Sequence, residues 1–359
     1  MRPSEAVRHI QHVAALGLAP RIAIPAMVDA MHHVVRANQV PFFWADTEGM
    51  ITDFYGQQVI PKTLESAMTL NRHNTADDVP TMDRLLRGPL LVNNTASLKK
   101  LSGWSKSAFY NEMLRGNAAE KSIDFQLRDR TGIKGAFAIS RGLRDRTLQA
   151  DEVRRVASLM PHFVHAMNVP SDRVGAGAIE SSEQAHIIAN LAGEILSYSA
   201  NSSIRILQLY DMPLGNGVLF TDYLRRLPPA AMMAIQRLRL IQKGDLAKPA
   251  SLEVATRWGL FRVSAMPMQM TPERQSDMII VAIQPLIDKR VARLEKLIDT
   301  ELTPAERRVA LRMADSGDGE AIAQDLGIKT SSYRQYAKRI YTALGVEGRI
   351  GVKQFLDGR

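Results

Sequence analysis

The chain has 359 residues, of which 45% are apolar and 23% charged, and a formal net charge of +9. This balance excludes a wholly disordered chain and fits two or three folded domains. Cysteine is absent, which excludes disulfides, thiolate nucleophiles and cysteine-based metal centres. No apolar run approaches the ~20 residues of a membrane helix, and the first residues lack a signal-peptide core. A cytoplasmic protein with no membrane partner is expected. The positive excess is spread along the chain, so it permits a polyanionic partner without locating the contact.

In chain order, residues 5–16 and 24–37 have helical spacing, with Ile24, Met27, Val28 and Met31 on one face. Residues 40–45 and 50–55 then read as two short strands around the turn Asp46–Gly49. Residues 122–127 and 135–141 read as a second strand pair around a polar segment, 128–134. Ile123, Phe125 and Leu127 alternate with polar residues, which predicts one buried face. Residues 151–168 read as one amphipathic helix with Asp151 and Glu152 at its start.

Residues 169–180 are rich in Pro, Gly and small side chains and read as a linker. Residues 183–197 read as a helix or a helix-strand transition. Gly215 and Gly217 mark a turn, and 228–242 is helical. Strands are predicted over 250–255, 260–268 and 278–284, the last two around a polar loop, 271–277. Pro285 is expected to end the strands. Residues 286–300 then form a charged amphipathic helix, with Leu286, Ile287, Val291, Leu294, Leu297 and Ile298 at 3–4 spacing. This stripe reads either as a connector or as a coiled-coil dimer seam. No internal repeat stands out.

Residues 301–359 read as four short helices. Thr303, Pro304 and Glu306 have the spacing of a capping box with proline at the first helical position. Val309, Ala310, Met313 and Ala314 supply the apolar face of that helix, and residues 316–319 end it. A short helix follows, then a tight turn at Gly327, then a helix over 330–344 that Gly345 closes. Two helices joined by a tight glycine turn are a helix-turn-helix arrangement, with the second sized for a major groove. That helix carries Arg334, Lys338 and Arg339 and no acid, with Ser331 and Gln335 also placed outward. Arginine reads guanine edges, glutamine reads adenine edges, and lysine and arginine grip phosphate.

The segment resembles the LuxR/GerE-type DNA-binding domain. The resemblance rests on Leu302-Thr303, Glu306, Val309, Ala314, Ile322-Ala323, Leu326-Gly327-Ile328, Ile340, Leu344, Val346 and Arg349, without a gap. It departs at Ser316, Tyr336 and Ala343, where the family commonly carries Gly, His and Lys. The resemblance implies that the third helix enters the major groove and that the fourth contributes to dimerisation. It places Arg334, Gln335 and Lys338, which follow Ser332-Tyr333, at base edges; together with Ser331, Tyr333 and Arg339 these are the expected DNA-binding residues. More weakly, residues 105–112, the strand pair, Arg141-Gly142 and 151–167 resemble the GAF-like front of longer LuxR-type regulators. Residues 249–290 resemble the closing strands of a PAS-type domain.

Other candidate chemistry is sparse. His162 with His165, His9 with His12, and His32 with His33 lack an accompanying carboxylate at helical spacing and read as structural or solvated. Gly175 and Gly177 fall short of a dinucleotide fingerprint. No phosphate loop, HExxH or nucleophile elbow appears, so no enzyme, metal or cofactor is expected. Arg128, Arg130, Lys134, Arg141, Arg144 and Arg146 form a basic group, read as a solvated hairpin. Phe42, Phe43, Trp44, Phe54, Tyr55, Phe125 and Phe137 read as core before they read as the lining of a ligand cavity.

The expected fold class is α+β, with two GAF/PAS-like antiparallel-sheet modules followed by an all-α helix-turn-helix domain. The expected divisions are residues 1–168, a linker 169–180, 181–285, a connector 286–300 and 301–359. The expected function is DNA-binding transcriptional regulation by a homodimer, with a small-molecule or protein effector at the front modules. The alternative is a signalling scaffold whose helix-turn-helix no longer reads DNA.

Overall fold

Pro3 and Pro20 each begin a helix, where the missing amide hydrogen costs nothing. They open α1 (Pro3–Ala15) and α2 (Pro20–Val34). In the computed structural model of the chain, the described residues are 1–56, 92–94, 104–107, 109–116, 118–169, 178–181, 184–199, 202–211, 220–245, 247–268, 277–298, 300–315 and 318–358. The expectations placed on Gly175, Gly177, Gly215, Gly217, 271–276 and Ser316 lie outside them.

The first hairpin joins β1 (Phe42–Ala45) to β2 (Ile51–Tyr55). Asp46 closes its turn by accepting the N–H groups of Glu48 and Met50, and Gly49 takes the left-handed conformation at φ 80°. After β3 (Val92–Asn94) come β4 (Lys121–Asp129) and β5 (Gly132–Arg141). The polar loop expected over 128–134 shrinks to Arg130-Thr131. Asp129 accepts the Thr131 N–H at 2.7 Å, and Gly132 sits at φ 125°, so the polar residues on either side stay paired in the strands.

The helix expected over 151–168 is two helices, α3 (Ala150–Ala157) and α4 (Met160–Met167). Pro161 explains the break, since it lacks an amide hydrogen and its ring clashes with the preceding turn. The strands pair antiparallel in the order β2-β1-β5-β4-β3. Phe42, Phe137, Phe125 and Val92 stand in one row across them. Phe163 of α4 packs over this row, 4.9 Å from Phe137 and 6.1 Å from Phe42 between ring centres. Helix α1 packs on α2 and α4. One buried face was expected; the opposite, polar face is covered as well, since Ser122, Asp124, Gln126 and Ser140 are all buried.

The second sheet contains β6 (Ala178–Glu180), β7 (Ala185–Asn190), β8 (Ile195–Tyr198), β9 (Ser251–Thr256), β10 (Gly259–Pro267) and β11 (Met278–Asp288). Three helices cross between β8 and β9: α5 (Ser202–Leu209), α6 (Phe220–Tyr223) and α7 (Pro229–Gln242). Residues 185–198 are therefore a hairpin and not a helix. Ala185, Ile187 and Ala189 are buried while His186, Ile188 and Asn190 are not, which is a period of two, and Gly193 turns the chain at φ 84°. The end of the expected linker is strand, because β6 pairs with β11.

Pro285 does not end β11. It falls where the neighbouring strand changes from β7, which pairs up to Ile283, to β6, which pairs from Leu286. Its missing donor faces that gap, and its carbonyl accepts the Ser181 N–H at 3.1 Å. The strand order is β8-β7-β11-β10-β9. Numbered within each sheet, and setting β6 aside, both sheets follow the order 2-1-5-4-3. The same topology occurs twice where the sequence shows no repeat.

The helix expected over 286–300 is α8 (Lys289–Ile298), since Leu286 and Ile287 belong to β11. A C-terminal helical region follows: α9 (Pro304–Asp315), α10 (Gly319–Asp325), α11 (Thr330–Leu344) and α12 (Gly348–Asp357). The chain is thus mixed α+β, with two antiparallel sheets and a helical C-terminal region. One apolar core runs from α1 through both sheets to Val291 and Leu294 of α8. A second gathers Leu297, Leu302, Val309, Met313, Ile322, Ile340, Val352 and Leu356. Among the described residues no helix is long and apolar enough to cross a membrane.

Candidate nucleic-acid interface

The helical region is built from its caps inward. Glu306 accepts the Thr303 N–H at 2.8 Å, and Thr303 Oγ1 accepts the Glu306 N–H at 3.4 Å, which is the capping box read from the sequence. Asp318 caps α10 by accepting the Ala321 N–H at 2.8 Å. Gly327 and Gly345 turn the chain at φ 64° and 63°. Arg312 on α9 pairs with Asp325 on α10 at 2.9 Å.

Helix α11 divides by face. Tyr333, Ala337, Ile340 and Leu344 are buried at 3–4 spacing. Ser331, Arg334, Gln335, Lys338 and Arg339 are exposed. Arg334 and Lys338 are one turn apart, as are Gln335 and Arg339, so they form two adjacent columns. The first turn has no side-chain cap, which leaves its first backbone N–H groups without an intrahelical partner at the N-terminal end of the helix.

Two expectations change here. Tyr333 is a packing residue: its ring fills the space beside Gly319, where a Cβ would lie 2.5 Å from Tyr333 Cε1. Burial raises its pKa, and the nearby Tyr341 adds to the rise. Arg339 is exposed but not unattached, since its Nε lies 3.0 Å from Oε1 of the buried Glu306 on α9. The capping glutamate thus holds both the start of α9 and the middle of α11. No local pattern pairs residues so far apart in sequence, so the sequence could not show this.

The connector is fixed to the same region. Buried Arg293 donates to Asp315 at 2.6 Å and to Asp357 at 2.9 Å, at the ends of α9 and α12. Lys289 pairs with Asp357 at 3.0 Å, and Lys296 donates to the Leu356 carbonyl at 3.1 Å. Cations at helix C-termini oppose the negative end of the helix dipole. Burial disfavours ionised Asp357, but hydrogen bonds from Arg293 and Lys289 overcome it and hold the group below its ordinary pKa. Val291, Leu294, Leu297 and Ile298 are all buried within the chain. The stripe is therefore a connector packed on its own chain and not an open dimer seam. On its other side Arg290 donates to the Leu16 carbonyl at the end of α1, at 3.2 Å.

The remaining candidates are dispersed. Arg141 is buried and donates to Glu152 at 2.8 Å and to the Arg36 carbonyl at 2.6 Å, so it is structural. Arg146 also meets Glu152, and Lys134 lies 3.6 Å from Asp129. The seven aromatics named from the sequence are all buried in the first core. His9 is buried near Arg307 of α9; burial, then the charges of His12 and Arg307, push its pKa down to about 4. His165 is exposed, and burial lowers the pKa of the half-buried His162. Among the described residues no group of three or more His, Asp or Glu side chains is placed to hold a metal ion. No family model matches the chain, and no curated protein matches it.

Proposed function

We propose that the chain is a DNA-binding transcriptional regulator. Helix α11 is its major-groove reader, and residues 1–168 and 181–285 are sensor-like modules that control it through residues 286–300. One observation carries the reading: α11 buries one face in a small core and presents Arg334, Gln335 and Lys338, with no acid, on the other. The resemblance of residues 301–359 to LuxR/GerE-type domains supports it. In this reading Arg334, Gln335 and Lys338 meet base edges, while Ser331, the first-turn N–H groups and Arg339 meet phosphate. Tyr333 contributes only by packing. The effector of the front modules is a small molecule or a protein.

The test is gel-shift titration with double-stranded fragments of the upstream region, at several salt concentrations. Arg334→Ala and Lys338→Ala are each expected to weaken binding by about 1–3 kcal/mol, the worth of a good base contact, without lowering the melting temperature. Unchanged affinity in both variants counts against the assignment. Absence of any salt-dependent binding favours the scaffold reading, in which the front modules bind a protein and the helical region reads no DNA.

A further inference from the structure

The two sheets meet at a contact inside the one apolar core they share. Arg21 of α2 lies with its guanidinium carbon 4.1 Å from the centre of the Trp44 ring and 4.8 Å from that of Trp258. The two indoles meet edge to face, 5.5 Å apart. Trp44 belongs to β1 of the first sheet. Trp258 belongs to the turn between β9 and β10 of the second. Both indole N–H groups are buried without a hydrogen-bond partner among the described residues. The guanidinium therefore orients these rings, and not hydrogen bonding by the rings themselves.

A single carboxylate serves both sides. Asp53 of β2, 1% exposed, lies 2.8 Å from Arg21 and 3.8 Å from Arg257, the residue before Trp258. Arg257 is tied onward to Asp211: its N–H donates to Asp211 Oδ1 at 2.6 Å. Asp211 is one of two described non-glycine residues with positive φ, at 52°, a conformation that costs energy unless its surroundings hold it. Arg21 and Arg257 retain side-chain exposures of 22% and 37%, so the cationic side of the joint lies at its rim, while Trp44 and Trp258 are buried in the shared core.

We propose that Arg21, Trp44, Asp53, Arg257 and Trp258 form a coupling joint that passes the state of the first sheet to the second and on to the connector. The route is continuous. The turn bearing Trp258 leads directly into β10, which pairs with β11 over eight positions, and β11 runs into α8 without a break. Because one buried carboxylate holds a cation from each side, the loss of either cation changes the setting of the other.

The test uses the full chain without DNA, so it stands apart from the reading of α11. Amide hydrogen exchange is compared for the wild type, Arg21→Ala, Trp258→Ala and the double variant. Arg21→Lys and Trp258→Phe serve if truncation unfolds the chain. Expected is faster exchange in residues 42–55, in 259–267 and in the connector 289–298 together, with the double variant no faster than either single one. Changes confined to the neighbourhood of each substitution, or effects that multiply in the double variant, would overturn the proposal.

Discussion

At the scale of single residues, the covered polar row of the first sheet has a measurable consequence. Asp124 is buried, with Ser122 Oγ donating to it at 3.2 Å. Burial disfavours its ionised form, the Ser122 hydrogen bond partly offsets this, and its pKa is pushed up to about 7 from an ordinary 3.8. Between those values the folded chain holds a proton that the unfolded chain has released. Stability therefore falls as pH rises through that window, with no penalty below it and the full penalty above about pH 7. Asp124→Asn is expected to flatten this dependence and to exceed the wild type at pH 8 by up to about 4 kcal/mol. Thermal melts at pH 4.5 and pH 8 check it; equal slopes in the two proteins would show that Asp124 is not the group responsible.

Gly319 offers a second test at this scale. A methyl group there meets the Tyr333 ring at 2.5 Å, and both belong to the packing that sets α10 against α11. Gly319→Ala is expected to cost about 1–3 kcal/mol by overpacking. The denaturation midpoint reads this directly, and an unchanged midpoint would mean that the ring has room to move.

At the scale of elements, periodicity was a good guide to where helices and strands lie but a poor guide to what they pack against. The stripe on residues 286–298 has the spacing of a dimer seam, yet every buried position on α8 faces its own chain. Leu294→Ala is expected to cost about 2–5 kcal/mol as a cavity, by an amount that does not vary with protein concentration. Melts over a hundredfold concentration range distinguish this from a dimer seam, whose loss would vary with concentration. The alternation in 122–127 likewise predicted one buried face. Alternation shows only that two faces differ, and here the polar one is covered as well.

At the scale of the whole molecule, α8 belongs to the C-terminal helical region as much as to the sheets. Leu297 lies in the second core and Arg293 secures the ends of α9 and α12. A fragment of residues 289–359 is therefore expected to melt at a higher temperature than one of residues 301–359, as followed by circular dichroism. On the proposed DNA-binding function, one helical region of this size contacts too little DNA for tight specific binding, so two chains per operator are expected by light scattering. With the connector stripe occupied, Ile350 and Phe355 of α12, the exposed large apolar residues among the described residues of the helical region, are the candidates for that contact. Ile350→Glu is expected to lower operator occupancy without lowering the melting temperature. One chain per operator in the wild type would rule the contact out.

Local chemistry alone determined much of this protein. The capping box at Thr303 and Glu306, the glycine turns at 327 and 345, the two faces of α11 and most strand positions depend on residues a few places apart, and were legible in sequence. What lies between distant residues was not. The repeated strand order depends on which strands pair, and pairing leaves no mark on residue identity. The Arg339–Glu306 and Arg293–Asp357 pairs, the burial of the connector stripe and the meeting of Trp44 with Trp258 join residues 33 to 214 positions apart. Side-chain spacing fixes which face of an element is apolar. Only the folded chain decides what that face meets, because burial is settled by the sum of all packing and not by any one segment.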